Sequence, residues 1–258
     1  MSRKCDPNTS VGQAIARPST VNPEETLLTV FSLRGLEPGS EEALAYCAGA
    51  YSIAIQKSLS YPISHVIVEE AQKAAQEPGV VRMMSDLITR YGKDGVRLGL
   101  VTNSFDKVAK SQAGRDLLDN ITTKILGPIT EASVGSLSET LNIPLDLVEQ
   151  CASSAFYTDR KEGRMNVLLC DNGRHTFASF YPGWVSVALS ASNRGERESK
   201  KRFLHVIANK YVAIAAFAMY IRYCFERGLE VQVLPDKQIQ EFEKRCHLSS
   251  DTASKQAA

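Results

Sequence analysis

The sequence predicts an α/β protein with a mainly parallel central sheet and an antiparallel hairpin added in its C-terminal half. Short β-branched, apolar runs at residues 26–33 (TLLTVFSL), 65–69 (HVIVE), 97–102 (RLGLVT) and 122–129 alternate with segments of helical period. Such alternation requires right-handed crossovers and lays helices on both faces of the sheet. After residue 130 the alternation stops. Asn172-Gly173 then separates two strand-like runs, 165–171 and 174–181, the strongest short hairpin signal a sequence offers.

Each element follows from local chemistry. Residues 26–33 read as a buried strand, broken by Gly35, Pro38 and Gly39. Ser40 before Glu41 and Glu42 is a helix start, and Leu44, Cys47, Ala48, Tyr51 and Ile55 carry an apolar stripe through residues 41–59. Pro62 precedes the second strand. Val80, Met83, Met84, Leu87, Ile88 and Tyr91 mark a helix ending near Gly92. The third strand, a short helix at 114–120 and the fourth strand follow. Two short helices are expected at 131–141 and 144–153, and a further strand at 185–190 after the hairpin. A single long helix is expected over 196–226, a strand at 230–234 and a last helix at 235–246. Residues 1–22, polar and interrupted by Pro7 and Pro18, and residues 247–258 are expected to be flexible, which leaves 23–246 as one domain.

The balance of charges narrows the function. Thirty basic and 29 acidic residues leave a net charge of +1, so bulk charge gives no argument for binding nucleic acid or acidic membranes. The basic run Arg194, Arg197, Lys200, Lys201, Arg202 is interrupted by Glu196 and Glu198 and reads as a solvated helix start. The most apolar segment, residues 212–221, is half the ~20 residues of a membrane span. No export signal opens the chain, and its six cysteines form no C-x-x-C pair, so reduced thiols in the cytoplasm are expected. No G-x-S-x-G elbow occurs, and His65, His175, His205 and His247 lack metal-site spacing. Trp184 reads as a core or interface anchor.

The chemistry concentrates at two strand ends. Residues 66–71 (VIVEEA) bring Glu69 and Glu70 to the C-terminal end of a strand, the rim where open α/β sheets bind ligands. A fixed carboxylate there can hold a Mg²⁺ shell or polarise an attacking water; an acidic exit from a buried strand gives the same pattern without any ligand. The next strand ends in Thr102-Asn103-Ser104, hydroxyl and amide groups able to orient water or a γ-phosphate, or simply to cap the following turn.

In the order TLLTVFSLRGL, SHVIVEEAQKA, LITRYGKDGVRLGLVTNS and DNITTKILG, the chain resembles the C-terminal half of the TraC-like conjugative-transfer ATPases of type IV secretion systems. Those proteins show, in this order, a strand ending in acidic-Glu-Ala, a helix ending in a basic residue, a strand ending in Thr-Gln-Ser, and an Asn-x-x-Thr-Lys strand. The hairpin MNVLLCDNGRHTFASFYP and the segment VALSAS fit the family's later portion, so the resemblance covers residues 20–234. It implies a RecA-like P-loop NTPase-type three-layer sheet, ATP and Mg²⁺ as cofactors, and a homo-oligomeric (hexameric) ring among type IV secretion components at the cytoplasmic face of the inner membrane. DNA contact is left open. By position it makes Glu70 the catalytic glutamate, Glu69 the Mg²⁺-side acid, Asn103 the sensor and Thr102 its neighbour. Arg90 or Lys93 would reach a neighbour's nucleotide, although a helix C-terminus attracts cations for its own reasons.

Three departures from the family's pattern accompany this. No G-x-x-x-x-G-K-[ST] loop occurs, Glu69 stands where the family has Asp, and Asn103 stands for Gln. Without the loop, the positioning and charge neutralisation that dominate phosphoryl transfer are missing. The isolated chain is therefore expected not to hydrolyse ATP, a P-loop-bearing partner being required. The rival readings are a non-catalytic interaction subunit that keeps the ATPase fold, and an unrelated α/β binding domain.

Overall fold

The structure is a computed structural model and describes residues 27–32, 37, 40–75, 78–110 and 112–256. It contains both a parallel and an antiparallel sheet among helices, and is α/β in that sense. By its internal contacts the chain divides into two compact units: residues up to Thr122 with Gly135–Pro144, and Thr123–Val134 with residues from Leu145 onward. The expected flexible segment at 1–22 lies outside the described residues.

In the first unit, helix α1 (Glu41–Leu59) starts as expected, the Ser40 Oγ accepting the Ala43 N–H at 3.1 Å. Strand β1 (Ser64–Glu69), helices α2 (Ala71–Ala74) and α3 (Pro78–Thr89), a 3₁₀ turn (Gly92–Asp94) and strand β2 (Val96–Val101) form a β-helix-β crossover. β1 and β2 pair in parallel, from Ser64 opposite Val96 to Glu69 opposite Val101. Helices α4 (Phe105–Val108) and α5 (Gln112–Asp119) follow, and most of α6 (Val134–Leu141) belongs to this unit. Val80, Val81, Met84 and Leu87 of α3, with Val108, Leu117 and Leu118, make a core against Val66, Val68, Leu98 and Leu100.

Strict alternation along β1 decides which face is covered. Ser64, Val66 and Val68 turn inward, whereas His65, Ile67 and Glu69 are exposed, Ile67 at 69%. Among the described residues, helices therefore cover one face of this sheet, not both. Residues 27–32, the described part of the expected first strand, form no strand among the described residues, and Leu27 is 94% exposed. β-Propensity there meets no neighbouring ladder, and propensity alone does not make a strand.

In the second unit, β3 (Thr123–Leu126) pairs antiparallel with β4 (Met165–Asp171), which pairs antiparallel with β5 (Arg174–Phe180). The expected fourth parallel strand is thus the first strand of an antiparallel sheet. Asn172 and Gly173 have φ of 47° and 77°, both positive, as a type I′ turn demands. Helix α7 (Leu145–Ala152) precedes the hairpin; α8 (Trp184–Leu189), α9 (Arg194–Val206), α10 (Lys210–Glu226) and α11 (Asp236–Gln256) follow it.

Three more expectations change here. Residues 185–189 of the expected strand are helical in α8, which packs Val187 and Ala188 on the α10 core. The single long helix is two: Ile207 leaves helical geometry at the end of α9, and the Asn209 Oδ1 accepts the N–H groups of Tyr211 and Val212 to start α10. Residues 230–234 form no strand. There the Tyr220 hydroxyl takes the place of a strand partner, donating to the Gln232 carbonyl at 2.9 Å and accepting its N–H at 3.1 Å. α11 also runs to Gln256, past the end expected at 246.

The core of this unit centres on Phe203, Phe217, Ile221 and Ile239, with Phe203 stacked on Tyr220. α10 is its buried centre, and no helix among the described residues is long and apolar enough to cross a membrane.

A methyl group at Gly195 would meet the Val231 carbonyl oxygen at 2.6 Å. Gly195→Ala should lower stability by ~1–3 kcal/mol, partly offset by alanine's helix preference; a urea midpoint measures it. Burial pushes the Cys151 thiol from 9.0 up to about 11. The folded state keeps this proton longer than the unfolded chain does, so the contribution is intact below the ordinary value and is lost as pH climbs through 9 towards 11. Melting temperatures should fall across that window, and less steeply in Cys151→Ala.

Candidate functional site

The pairing of Glu69 with Val101 fixes the geometry of the rim. Glu70 and Thr102 directly follow the ends of these two parallel strands, so Glu69-Glu70 and Thr102-Asn103 leave the sheet side by side at its C-terminal edge. The rim is the C-terminal edge of a two-stranded parallel sheet, the end at which open α/β sheets bind ligands.

Glu70 stands at the N-cap of α2 with φ 52° and ψ 45°, a left-handed conformation costing a side-chain-bearing residue ~1–2 kcal/mol. That turn carries the chain from strand to helix without a spacer. The Glu70 carbonyl accepts the Lys73 N–H at 2.8 Å, and its carboxylate forms an ion pair with the Lys73 ammonium. Both charged groups remain more than half exposed. Glu69 and Asn103 are exposed as well.

Thr102 ties the two strand exits together. Its hydroxyl donates to the buried Gln72 Oε1 at 2.7 Å and accepts the Ser104 N–H at 3.1 Å. Sequence reasoning missed Gln72 and Lys73. Their only signal was a polar pair at the start of a short helix directly after an acidic strand end.

Arg90 and Lys93 lie elsewhere. α3 runs back across the sheet, so both sit where β2 begins, with the Val96 N–H bonded to the Tyr91 carbonyl and the Ser64 N–H to the Gly95 carbonyl. One strand length, about 20 Å, separates that edge from the acidic rim. Arg90 pairs with Asp86 at 3.1 Å on its own helix.

Among the described residues, no group of three or more His, Cys, Asp and Glu side chains is placed to hold a metal ion. A Mg²⁺–nucleotide asks for less, one or two carboxylates, with phosphates and water completing the shell. Glu69, on a rigid strand end and open to solvent, fits that share. The rim supplies no glycine-rich loop to grip the phosphates.

The second unit holds a cleft of about 870 Å³ that the sequence did not reveal, bordered by Arg160, Lys161, Arg194 and Glu196. Its buried carboxylate, Glu196, accepts the Ser192 N–H at 3.1 Å and faces the Arg160 guanidinium at 4.0 Å; that guanidinium lies over the Phe225 ring. These groups brace the start of α9 against the loop carrying Arg160.

Thr102→Val would leave the Gln72 oxygen buried without its donor, a loss of ~1–3 kcal/mol. Thr102→Ser keeps the hydroxyl and should recover most of it, as chemical denaturation of the two variants would show. Comparison with protein-family models, with curated proteins and with solved structures finds no match for the chain.

Proposed function

We propose that this chain is a component of a conjugative-transfer ATPase of the type IV secretion kind, supplying the acidic-strand half of a RecA-like motor domain. A second polypeptide supplies the phosphate-gripping loop. The observation that carries the reading is the registered pair of parallel strands whose exits, Glu69-Glu70 and Thr102-Asn103, share one rim. In this role Glu69 holds Mg²⁺ delivered with the partner's nucleotide, Glu70 polarises the attacking water, and Asn103 orients it. Thr102 holds the Asn103 turn in place. Mg²⁺ supplies charge neutralisation of the phosphates when bound.

The open face of the β1–β2 sheet, with Ile67 and Val101 exposed, suits the same reading. A RecA-like three-layer sheet needs that face covered, and the partner bearing the loop is what would cover it. Arg90 and Lys93, at the opposite edge, can serve only the nucleotide of a neighbouring subunit in a ring. The assembly belongs at the cytoplasmic face of the inner membrane.

A second reading has its own support. The Glu70 carboxylate is engaged by Lys73 and the Thr102 hydroxyl by Gln72, as they would be in a non-catalytic interaction subunit that retains the fold.

Purified alone, the chain should hydrolyse no ATP above background. With a P-loop-bearing partner, nucleotide should raise the melting temperature, and Glu70→Gln should abolish turnover while leaving the complex assembled. Turnover by the chain alone, lost in Glu70→Gln, would refute the need for a partner. Absence of any nucleotide shift with the partner bound would favour the interaction subunit.

A further inference from the structure

Strand β5 closes the antiparallel sheet on one side and has no neighbour beyond it among the described residues. In a hairpin with a two-residue turn, the flanking residues, here Asp171 and Arg174, exchange both backbone hydrogen bonds. Alternation then directs Arg174, Thr176, Ala178 and Phe180 towards β4. It leaves the N–H and C=O groups of His175, Phe177 and Ser179 pointing away from the sheet. Beyond the single charge of Arg174 at its start, this edge carries no proline, no lysine and no break in register. Its aromatic side chains are incompletely covered. Phe177 packs edge-on against Phe156 yet stays 41% exposed, and Phe180 is 53% exposed.

The geometry points to a second copy of this chain as the occupant of this edge, with β5 pairing antiparallel to β5 about a two-fold axis at Phe177. A two-fold register satisfies the backbone, and what favours a second copy over another strand is the side-chain pattern that this register brings together. In this register Phe177 pairs with Phe177 and His175 with Ser179, so every outward donor meets an outward acceptor. A shift of two residues leaves outward groups unpaired at the strand end. Side chains agree with the backbone. Arg174, the strand's one charged residue, falls opposite Phe180 of the other copy, a cation against an aromatic ring rather than against another cation. Thr176 falls opposite Ala178. Pairing of this kind keeps side chains on their own faces, so two three-stranded sheets continue into one. The contact is isologous and closes at the dimer. A strand pair is small beside the ~1,200 Å² of standard interfaces, so the dimer is weak and reversible, strengthened at each end by the apolar surface of Phe180 and Tyr181.

The test uses the full chain in sedimentation equilibrium across micromolar concentrations, with Phe180→Arg and Phe180→Glu. Both variants remove the same exposed ring and place charges of opposite sign across from the second copy's Arg174. A chain's own Arg174 lies six residues along the same strand, about 20 Å away, so a difference in association reports the other copy. Phe180→Glu should dimerise about tenfold more tightly than Phe180→Arg, and Arg174→Glu combined with Phe180→Arg should restore the dimer. Cooperative thermal unfolding of both single variants, at a protein concentration low enough that each is monomeric, confirms that both are folded. A wild-type chain that stays monomeric, or a dimer that both variants form equally well, overturns the proposal.

Discussion

The parallel pairing of Ser64–Glu69 with Val96–Val101 is the constraint on which the candidate rim depends. Parallel strands cannot be joined by a tight turn, so the chain must travel back over the sheet before the second strand begins. α3 makes that journey, and its Val80, Val81, Met84 and Leu87 bury themselves against the inward side chains of both strands. The same packing sets the register. A slip of one residue would turn Val66 and Val68 outward and bring Ile67 and Glu69 into the apolar layer, burying a carboxylate with no partner. The position of Glu70 beside Thr102 is therefore held by hydrophobic burial some distance from either residue.

Much of this was legible in the sequence where local and tertiary signals agree. HVIVE and RLGLVT are short, β-branched and separated by one amphipathic helix, and Asn172-Gly173 strongly favours a turn with two positive φ values. The failures share a cause. At 27–32 the β-prone residues meet no ladder. At 230–234 the Gln232 backbone is satisfied by the Tyr220 side chain rather than by a strand. WVSVAL folds as helix, which sets Trp184, Val187 and Ala188 on the apolar surface of the α10 core. The break between α9 and α10 did leave a trace, Asn209 after β-branched Val206 and Ile207, the combination that ends one helix and caps another.

Within the candidate site the sequence correctly placed two acids and an amide at neighbouring strand ends, because strand order and crossover length determine that much. It could not show that Gln72 bridges to Thr102 or that Lys73 neutralises Glu70, since both depend on the left-handed backbone of Glu70 turning the chain sharply into α2. Nor could it show that Arg90 and Lys93 sit at the far edge of the sheet. That separation follows from the direction of α3, and it limits them to acting on something outside their own chain's rim.

The exposure of the rim decides what any chemistry there requires. A carboxylate facing water acts through a dielectric that reduces its field to about a twentieth of its value in a dry interior. Phosphoryl transfer is accelerated mainly by fixed charges and dipoles in a site closed to water. Glu70 is more than half exposed and already shares its charge with Lys73. For it to polarise a water molecule, a second surface must cover the strand exits, exclude solvent and draw Lys73 away or turn it towards phosphate. The two readings of this chain differ in what that surface brings. A catalytic partner brings a gripped triphosphate whose charge competes for Lys73, whereas a structural partner needs only shape and apolar contact and leaves the Glu70–Lys73 pair intact. The fate of that ion pair on assembly is the physical difference between a motor half and a docking module.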